Sequence, residues 1–100
     1  MSSNGQGNNI IFYNNGAFSC SFSIQWNGGE SGRTGTVLAN QSTRLDLTRY
    51  NLGDATSCWA RVYVYGGITH DSGRNFNFMR SDPNTVEYTI TGGTLNPSFD

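Results

Sequence analysis

Between Phe18 and Trp26 the chain alternates without a break. Phe18, Cys20, Phe22, Ile24 and Trp26 share one parity, and Ser19, Ser21, Ser23 and Gln25 share the other. A period of two fits an extended strand with one oily and one wet face, whereas a helix would scatter these aromatics around its circumference. Burial stabilises such a face by about 1.5–3 kcal/mol per large side chain. Ordering the backbone opposes this by about 1–2 kcal/mol per residue. The strand therefore needs a second sheet laid across its oily face.

The rest of the chain supplies candidates for that cover. Ile10 to Tyr13 reads as a short strand, and Asn14-Asn15-Gly16 favours a tight hairpin because Asn and Gly tolerate positive φ. Asn27 to Gly35 reads as an exposed loop. Thr36 to Leu38 is a brief apolar piece, and Arg44 to Thr48 alternates again. From Cys58 to Tyr65 a second long strand sets Cys58, Ala60, Val62 and Val64 against Trp59, Arg61, Tyr63 and Tyr65. Gly66 to Arg74 reads as a loop, Phe76 and Phe78 mark a strand, and Val86, Tyr88 and Ile90 mark the last long one. Gly92 to Pro97 closes the chain as another loop. Seven or eight short strands, with no repeat and no useful helical stretch, predict an all-β fold, an antiparallel β-sandwich. Residues 1–9 are expected to be a loose tail and residues 10–100 a single domain, within the modest core that 100 residues allow.

Charge narrows the function. All six basic residues are Arg, and the formal net charge is −1. No basic surface is available for nucleic acid, and no polybasic run for an anionic leaflet. Membrane contact would have to be apolar or headgroup-specific. No apolar run is long enough to span a bilayer, and the Met1 end is polar rather than signal-like. The expected product is soluble and made in the cytoplasm, with any release by lysis or another route. Cys20 and Cys58 lack metal-ligand spacing and share the inward parity of their strands, which favours two buried free thiols over a bridge.

Catalysis finds little support. His70 is the sole histidine, and with Asp71 and Ser72 as immediate neighbours it cannot fold back into a triad, so a polar loop tip is the simpler reading. The seven carboxylates show no acid–base spacing and no calcium-loop signature. The expectation is no enzyme, no cofactor and no metal. Binding is better served. The stretches Gly66–Arg74 and Gly92–Pro97 both follow strands, and a sandwich gathers its loops at two ends where a rigid scaffold presents them.

At these residues the chain resembles the C-terminal, membrane-recognition domain of cholesterol-dependent (thiol-activated) cytolysins. Gly16-Ala17 followed by Phe22-Ser23-Ile24-Gln25-Trp26 is similar to that domain's opening. Tyr88-Thr89-Ile90-Thr91-Gly92-Gly93-Thr94-Leu95-Asn96-Pro97 is similar to its closing Ile-x-Gly-Thr-Thr-Leu-Tyr-Pro. The match runs from about Ile10 to the C-terminus in the same order, and its closing motif is the most specific part. The resemblance implies two four-stranded sheets whose tip loops dock on sterol-rich membranes, with the sterol-recognising Thr-Leu pair falling on Thr94 and Leu95. The family's Trp-rich loop lines up on Gly66 to Arg74: Gly67 and Arg74 are retained, Ile68 stands for Leu and Asp71 for Glu. Its three Trp positions hold His70, Ser72 and Gly73, which removes interfacial anchors. The 100 residues hold no counterpart of the pore-forming domains, so the resemblance implies recognition and not a pore.

The leading expectation is a stand-alone, non-enzymatic module that binds cell-surface sterol or lipid through Tyr65, Gly67, Ile68, His70, Asp71, Arg74, Thr94 and Leu95. The alternative is a lectin using the same loops, since His70, Asp71 and Arg74 could bond sugar hydroxyls while Tyr65 stacks on the ring. A further alternative is a structural or toxin-assembly subunit joined through exposed strand edges or the Trp59/Tyr63 face.

Overall fold

The computed structural model describes residues 5–99. Nine strands follow in order: β1 (Gln6–Gly7), β2 (Asn9–Asn14), β3 (Cys20–Trp26), β4 (Gly29–Glu30), β5 (Gln41–Asp46), β6 (Thr56–Val64), β7 (Thr69–Phe78), β8 (Thr85–Gly93) and β9 (Asn96–Phe99). The only helical element among the described residues is a 3-10 turn at Leu47–Arg49. One sheet has the order β1-β7-β6-β3-β4 and the other β5-β2-β8-β9. The two-sheet, all-β expectation holds, with five and four strands.

The strand directions differ from expectation. Both sheets are mixed, because β2 runs parallel to β8 and β1 parallel to β7. The Asn14-Asn15-Gly16 turn is no hairpin. After β2 the chain continues along β8, with the Asn15 and Ala17 amides donating to the Ile90 and Gly92 carbonyls, and then crosses to the other sheet as β3. Crossing between layers lets β2 and β8 lie parallel without a helical connection. The first four residues of the expected tail lie outside the described residues. From Gln6 the backbone is already paired to β7, through Gln6–Asn77 and Gly7–Phe78.

The core forms where the predicted oily faces meet. Phe18, Cys20, Phe22 and Ile24 from the β3 region lie against Cys58, Ala60, Val62 and Val64 of β6 and against Ile10, Phe12, Tyr88 and Ile90 of the facing sheet. Phe12 stacks on Phe22 across the layers, with centroids 4.5 Å apart and planes 9° apart. Phe99 joins this aromatic row from β9, 5.9 Å from Phe22 and 5.8 Å from Tyr88. Such pairs add about 0.5–1.5 kcal/mol each beyond area burial.

The wet parity of β3 is not wet. Ser21, Ser23 and Gln25 are buried. Ser23 shares a hydrogen bond with the Tyr63 hydroxyl at 3.0 Å, Gln25 donates to Ser23 and Glu30, and the Arg33 guanidinium lies 3.6 Å from the centroid of the Tyr63 ring. The expected Asn27–Gly35 loop doubles back along β3. Ser31 and Thr34 receive the Ile24 and Phe22 amides on their hydroxyls and return bonds to the same residues' carbonyls. Val37 then pairs with Cys20. Positions 31, 34 and 37 thus meet 24, 22 and 20, three residues against two, with side-chain oxygens filling the ladder.

Cys20 and Cys58 are free and buried, as expected. They sit at opposite ends of the β3–β6 pair, Cys20 opposite Val64 and Cys58 opposite Trp26. Six residues of strand put them roughly 20 Å apart, far beyond disulfide reach. Burial pushes both thiols up to about 11.

Candidate functional site

Four segments converge at one end of the sandwich: 15–19, 36–41, 65–68 and 92–95. The Tyr65 amide donates to the Ser19 carbonyl at 3.0 Å, and its hydroxyl hydrogen-bonds that of Thr36 at 3.1 Å. The Thr36 bond is the main cause holding the Tyr65 phenol below its ordinary pKa. The Asn40 amide bonds the Asn14 carbonyl. Asn14, fully buried, ties the corner together: its side-chain amide donates to the carbonyls of Phe18 and Val37, and its oxygen accepts from the Gly16 amide.

The expected loops are shorter than their sequences suggest. The β6–β7 connection is only Tyr65–Ile68, closed by the Val64 amide on the Ile68 carbonyl and the Gly67 amide on the Val64 carbonyl. Gly66 sits at φ +76, a left-handed conformation that suits glycine. From Thr69 the supposed loop is already β7. The β8–β9 connection is the pair Thr94-Leu95 alone, since Gly93 pairs with Asn96. The two turns meet. A Cβ on Gly67 would overlap the Thr94 carbonyl oxygen and lie 2.9 Å from Thr94 Cγ2.

This end has one chemical character. Leu38, Tyr65, Ile68 and Leu95 are the exposed large hydrophobics among the described residues, 50%, 47%, 45% and 75% exposed, and all four belong to it. Its four segments contain no Asp, Glu or Arg, and the chain has no Lys. The opposite end is charged and tied down: Arg80 donates to the carbonyls of Thr48, Tyr50 and Leu52, and its own amide reaches Asp54.

Of the residues anticipated for a site, Tyr65, Gly67, Ile68, Thr94 and Leu95 come together here. His70, Asp71 and Arg74 do not join them. His70 pairs with Val62 inside the β6–β7 ladder. Asp71 is taken by Arg61, in a two-pronged bond of 2.6 and 3.1 Å, and by the Trp59 indole at 3.2 Å. Those donors, Arg61 first, hold its carboxylate below the usual range. Ser72–Arg74 form a bulge, where the Ser72 hydroxyl accepts the Ala60 amide. Arg74 closes the side of the sandwich, its guanidinium 4.5 Å from the centroid of the Tyr88 ring and bonded to the Glu87 carbonyl. The polar cluster envisaged for a sugar is therefore dispersed along β7. Leu38 was not anticipated; an apolar residue followed at once by Ala39 and Asn40, outside any alternating run, is the signal that could have marked it. No cluster of three or more metal-ligating side chains exists among the described residues.

No protein-family model matches this chain, and no curated protein matches its sequence. Solved structures do. Listeriolysin O superposes with a TM-score of 0.52 over 92% of this chain, at 17% identity. The fold is shared with part of a cholesterol-dependent cytolysin. Pneumolysin also aligns over 92% of the chain, at 17% identity and a TM-score of 0.44. The chain spans about a fifth of each toxin, 21% of listeriolysin O and 22% of pneumolysin. At this identity the likeness is one of fold, and it agrees with the resemblance seen in the opening and closing motifs. The stretch aligned on the family's Trp-rich loop is here mostly the first half of a strand. No helix among the described residues is long and apolar enough to cross a membrane.

Proposed function

We propose that this chain is a non-enzymatic recognition module that docks the end carrying Leu38, Tyr65, Ile68 and Leu95 on sterol-containing membrane surfaces. The single observation that carries the reading is the gathering of Leu38, Tyr65, Ile68 and Leu95, the exposed large apolar side chains among the described residues, on one end whose four segments carry no Asp, Glu or Arg. Water disfavours such a patch, and a bilayer interface accepts it without requiring anionic lipid. Thr94 sits beside Leu95 in the same turn, so a hydroxyl suited to a sterol's polar group adjoins a side chain suited to the acyl layer. The fold shared with listeriolysin O supports this reading by analogy. A sugar-binding role for the same end has lost its polar partners, since Asp71 and Arg74 are engaged elsewhere.

Flotation with neutral phosphatidylcholine vesicles, with and without cholesterol, tests the proposal. The protein should rise with the cholesterol-containing vesicles, equally at low and high salt, and Leu95→Asp should remain at the bottom. Binding that ignores both cholesterol and Leu95→Asp, or that disappears in salt, refutes it.

A further inference from the structure

An unpaired arginine lies behind the end that carries Leu38, Tyr65, Ile68 and Leu95. Arg33 is exposed, and its guanidinium lies 3.6 Å from the centroid of the Tyr63 ring. A guanidinium carries five N–H donors. Arg33 spends none of them in a hydrogen bond or ion pair among the described residues. The carboxylates on this face of the sheet are committed, Asp71 to Arg61 and Glu30 to the Gln25 amide. Contact with the Tyr63 ring holds the cation in place and leaves its hydrogen-bonding edge unused. Two further donors lie close by. Thr36 and Tyr65, both exposed, share a bond between their hydroxyls at 3.1 Å. The Tyr65 phenol is held below its ordinary pKa by Thr36 first, then by Ser21, and also by the charge of Arg33. Ser21 is buried beneath them, and its Oγ lies within bonding distance of no partner among the described residues.

Strand register sets the depth of this group. Tyr63 stands opposite Ser21, and the Tyr65 amide bonds the Ser19 carbonyl. The Arg33 guanidinium therefore sits two strand residues behind Tyr65, roughly 7 Å. The headgroup layer of one leaflet is about 5–8 Å thick. When the apolar rim meets the hydrocarbon boundary, Arg33 stands among the headgroups. We propose that Arg33, assisted by the Thr36–Tyr65 hydroxyl pair, binds the phosphate of a phospholipid headgroup as that rim enters the bilayer. The contact rests on the lipid reading and adds a second lipid to the sterol. A sterol hydroxyl is neutral and cannot answer a guanidinium. In a phosphatidylcholine bilayer the phosphate is the anion at that depth. Its oxygens match the planar fork of arginine and accept from hydroxyls. Phosphatidylcholine has no net charge, so the contact adds no long-range attraction for salt to screen.

NMR of the wild-type chain, following the Arg33 Nε–H signal, tests the site without a membrane. Dihexanoylphosphatidylcholine, kept below its micelle concentration, should shift that signal saturably, and glycerophosphocholine should shift it more weakly. No shift with either overturns the proposal. Inorganic phosphate acting as strongly as dihexanoylphosphatidylcholine overturns the headgroup assignment in favour of a free-phosphate site. In flotation with phosphatidylcholine–cholesterol vesicles, Arg33→Gln should lose roughly tenfold or more in affinity. Arg33→Lys keeps the charge without the fork and should lose less, and both should still require cholesterol. An Arg33→Gln chain that floats as well as the wild type, while Leu95→Asp does not, refutes the phosphate contact alone. A saturable Arg33 shift in a chain that binds no vesicles sustains the phosphate site and refutes the docking end alone.

Discussion

Gly67 lies flush against Thr94, with no room between them for a single methyl group. That contact joins the β6–β7 turn to the β8–β9 turn, and so joins the two sheets at the proposed membrane-facing end. Gly67→Ala must push the Thr94 backbone, and also the Val64 side chain, itself 2.9 Å from the would-be Cβ. We expect a loss of about 1–3 kcal/mol in chemical denaturation, together with weaker vesicle binding as the turns separate.

Leu38 tests the patch from the side not anticipated in the sequence. It is half-exposed, so Leu38→Ser should change folding stability by less than about 0.5 kcal/mol. Transfer of a leucine from water to an apolar layer is worth about 1.5–3 kcal/mol, and partial insertion should make its loss cost about tenfold in vesicle affinity. Unchanged flotation by a stably folded Leu38→Ser chain would remove the 36–41 segment from the surface.

Asn14 is the polar keystone of the corner where the chain leaves one sheet for the other. Asn14→Ala orphans the Phe18 carbonyl and the Gly16 amide and removes one of two donors from the Val37 carbonyl, which keeps the Cys20 amide. Each orphaned group costs about 1–3 kcal/mol, and the midpoint of urea unfolding should fall accordingly. Asn14→Asp should also destabilise, because a carboxylate cannot donate to the Phe18 and Val37 carbonyls.

The hydroxyls at Ser31 and Thr34 act as surrogate backbone acceptors for β3. Thr34→Val keeps the shape and removes the oxygen, leaving the Phe22 amide without it. A loss of about 1–2 kcal/mol is expected, with faster hydrogen exchange at Phe22 as the local readout.

The two thiols impose an alkaline limit. Their folded-state values, raised by burial to about 11 from an ordinary 9.0, mean that the unfolded chain releases these protons first. Stability is full below pH 9, declines as pH rises from 9 towards 11, and then levels off with respect to these groups. A Cys20→Ala, Cys58→Ala double variant should lose that part of the decline. Thiol reagents at neutral pH should label the wild-type chain only on unfolding.

Much of the architecture was legible. The alternation at Phe18–Trp26 and Cys58–Tyr65 located β3 and β6 and named their buried faces, because side-chain parity in a strand is a local property. Thr94-Leu95 and Gly67-Ile68 were legible as tips for the same reason: both are glycine-built breaks between strands. Ser21, Ser23 and Gln25 were misleading, since alternation reports two faces but not whether another segment covers the polar one. His70, Asp71 and Arg74 misled differently. Their Gly- and Ser-bearing stretch reads as a loop, yet Ser72 completes the β6 ladder with its hydroxyl and keeps the strand going.

By itself the sequence determined an all-β chain, most of its core-facing residues and its lack of a basic surface, and it favoured two free thiols over a bridge. These follow from residue type and spacing of two, which act over a few residues. Only the tertiary structure decided that β2 lies parallel to β8, that Asp71 answers Arg61, and that Leu38 stands with Leu95 at one end. Those relationships join residues ten or more positions apart, and only strand pairing and the closure of the two sheets on a shared core bring them within contact.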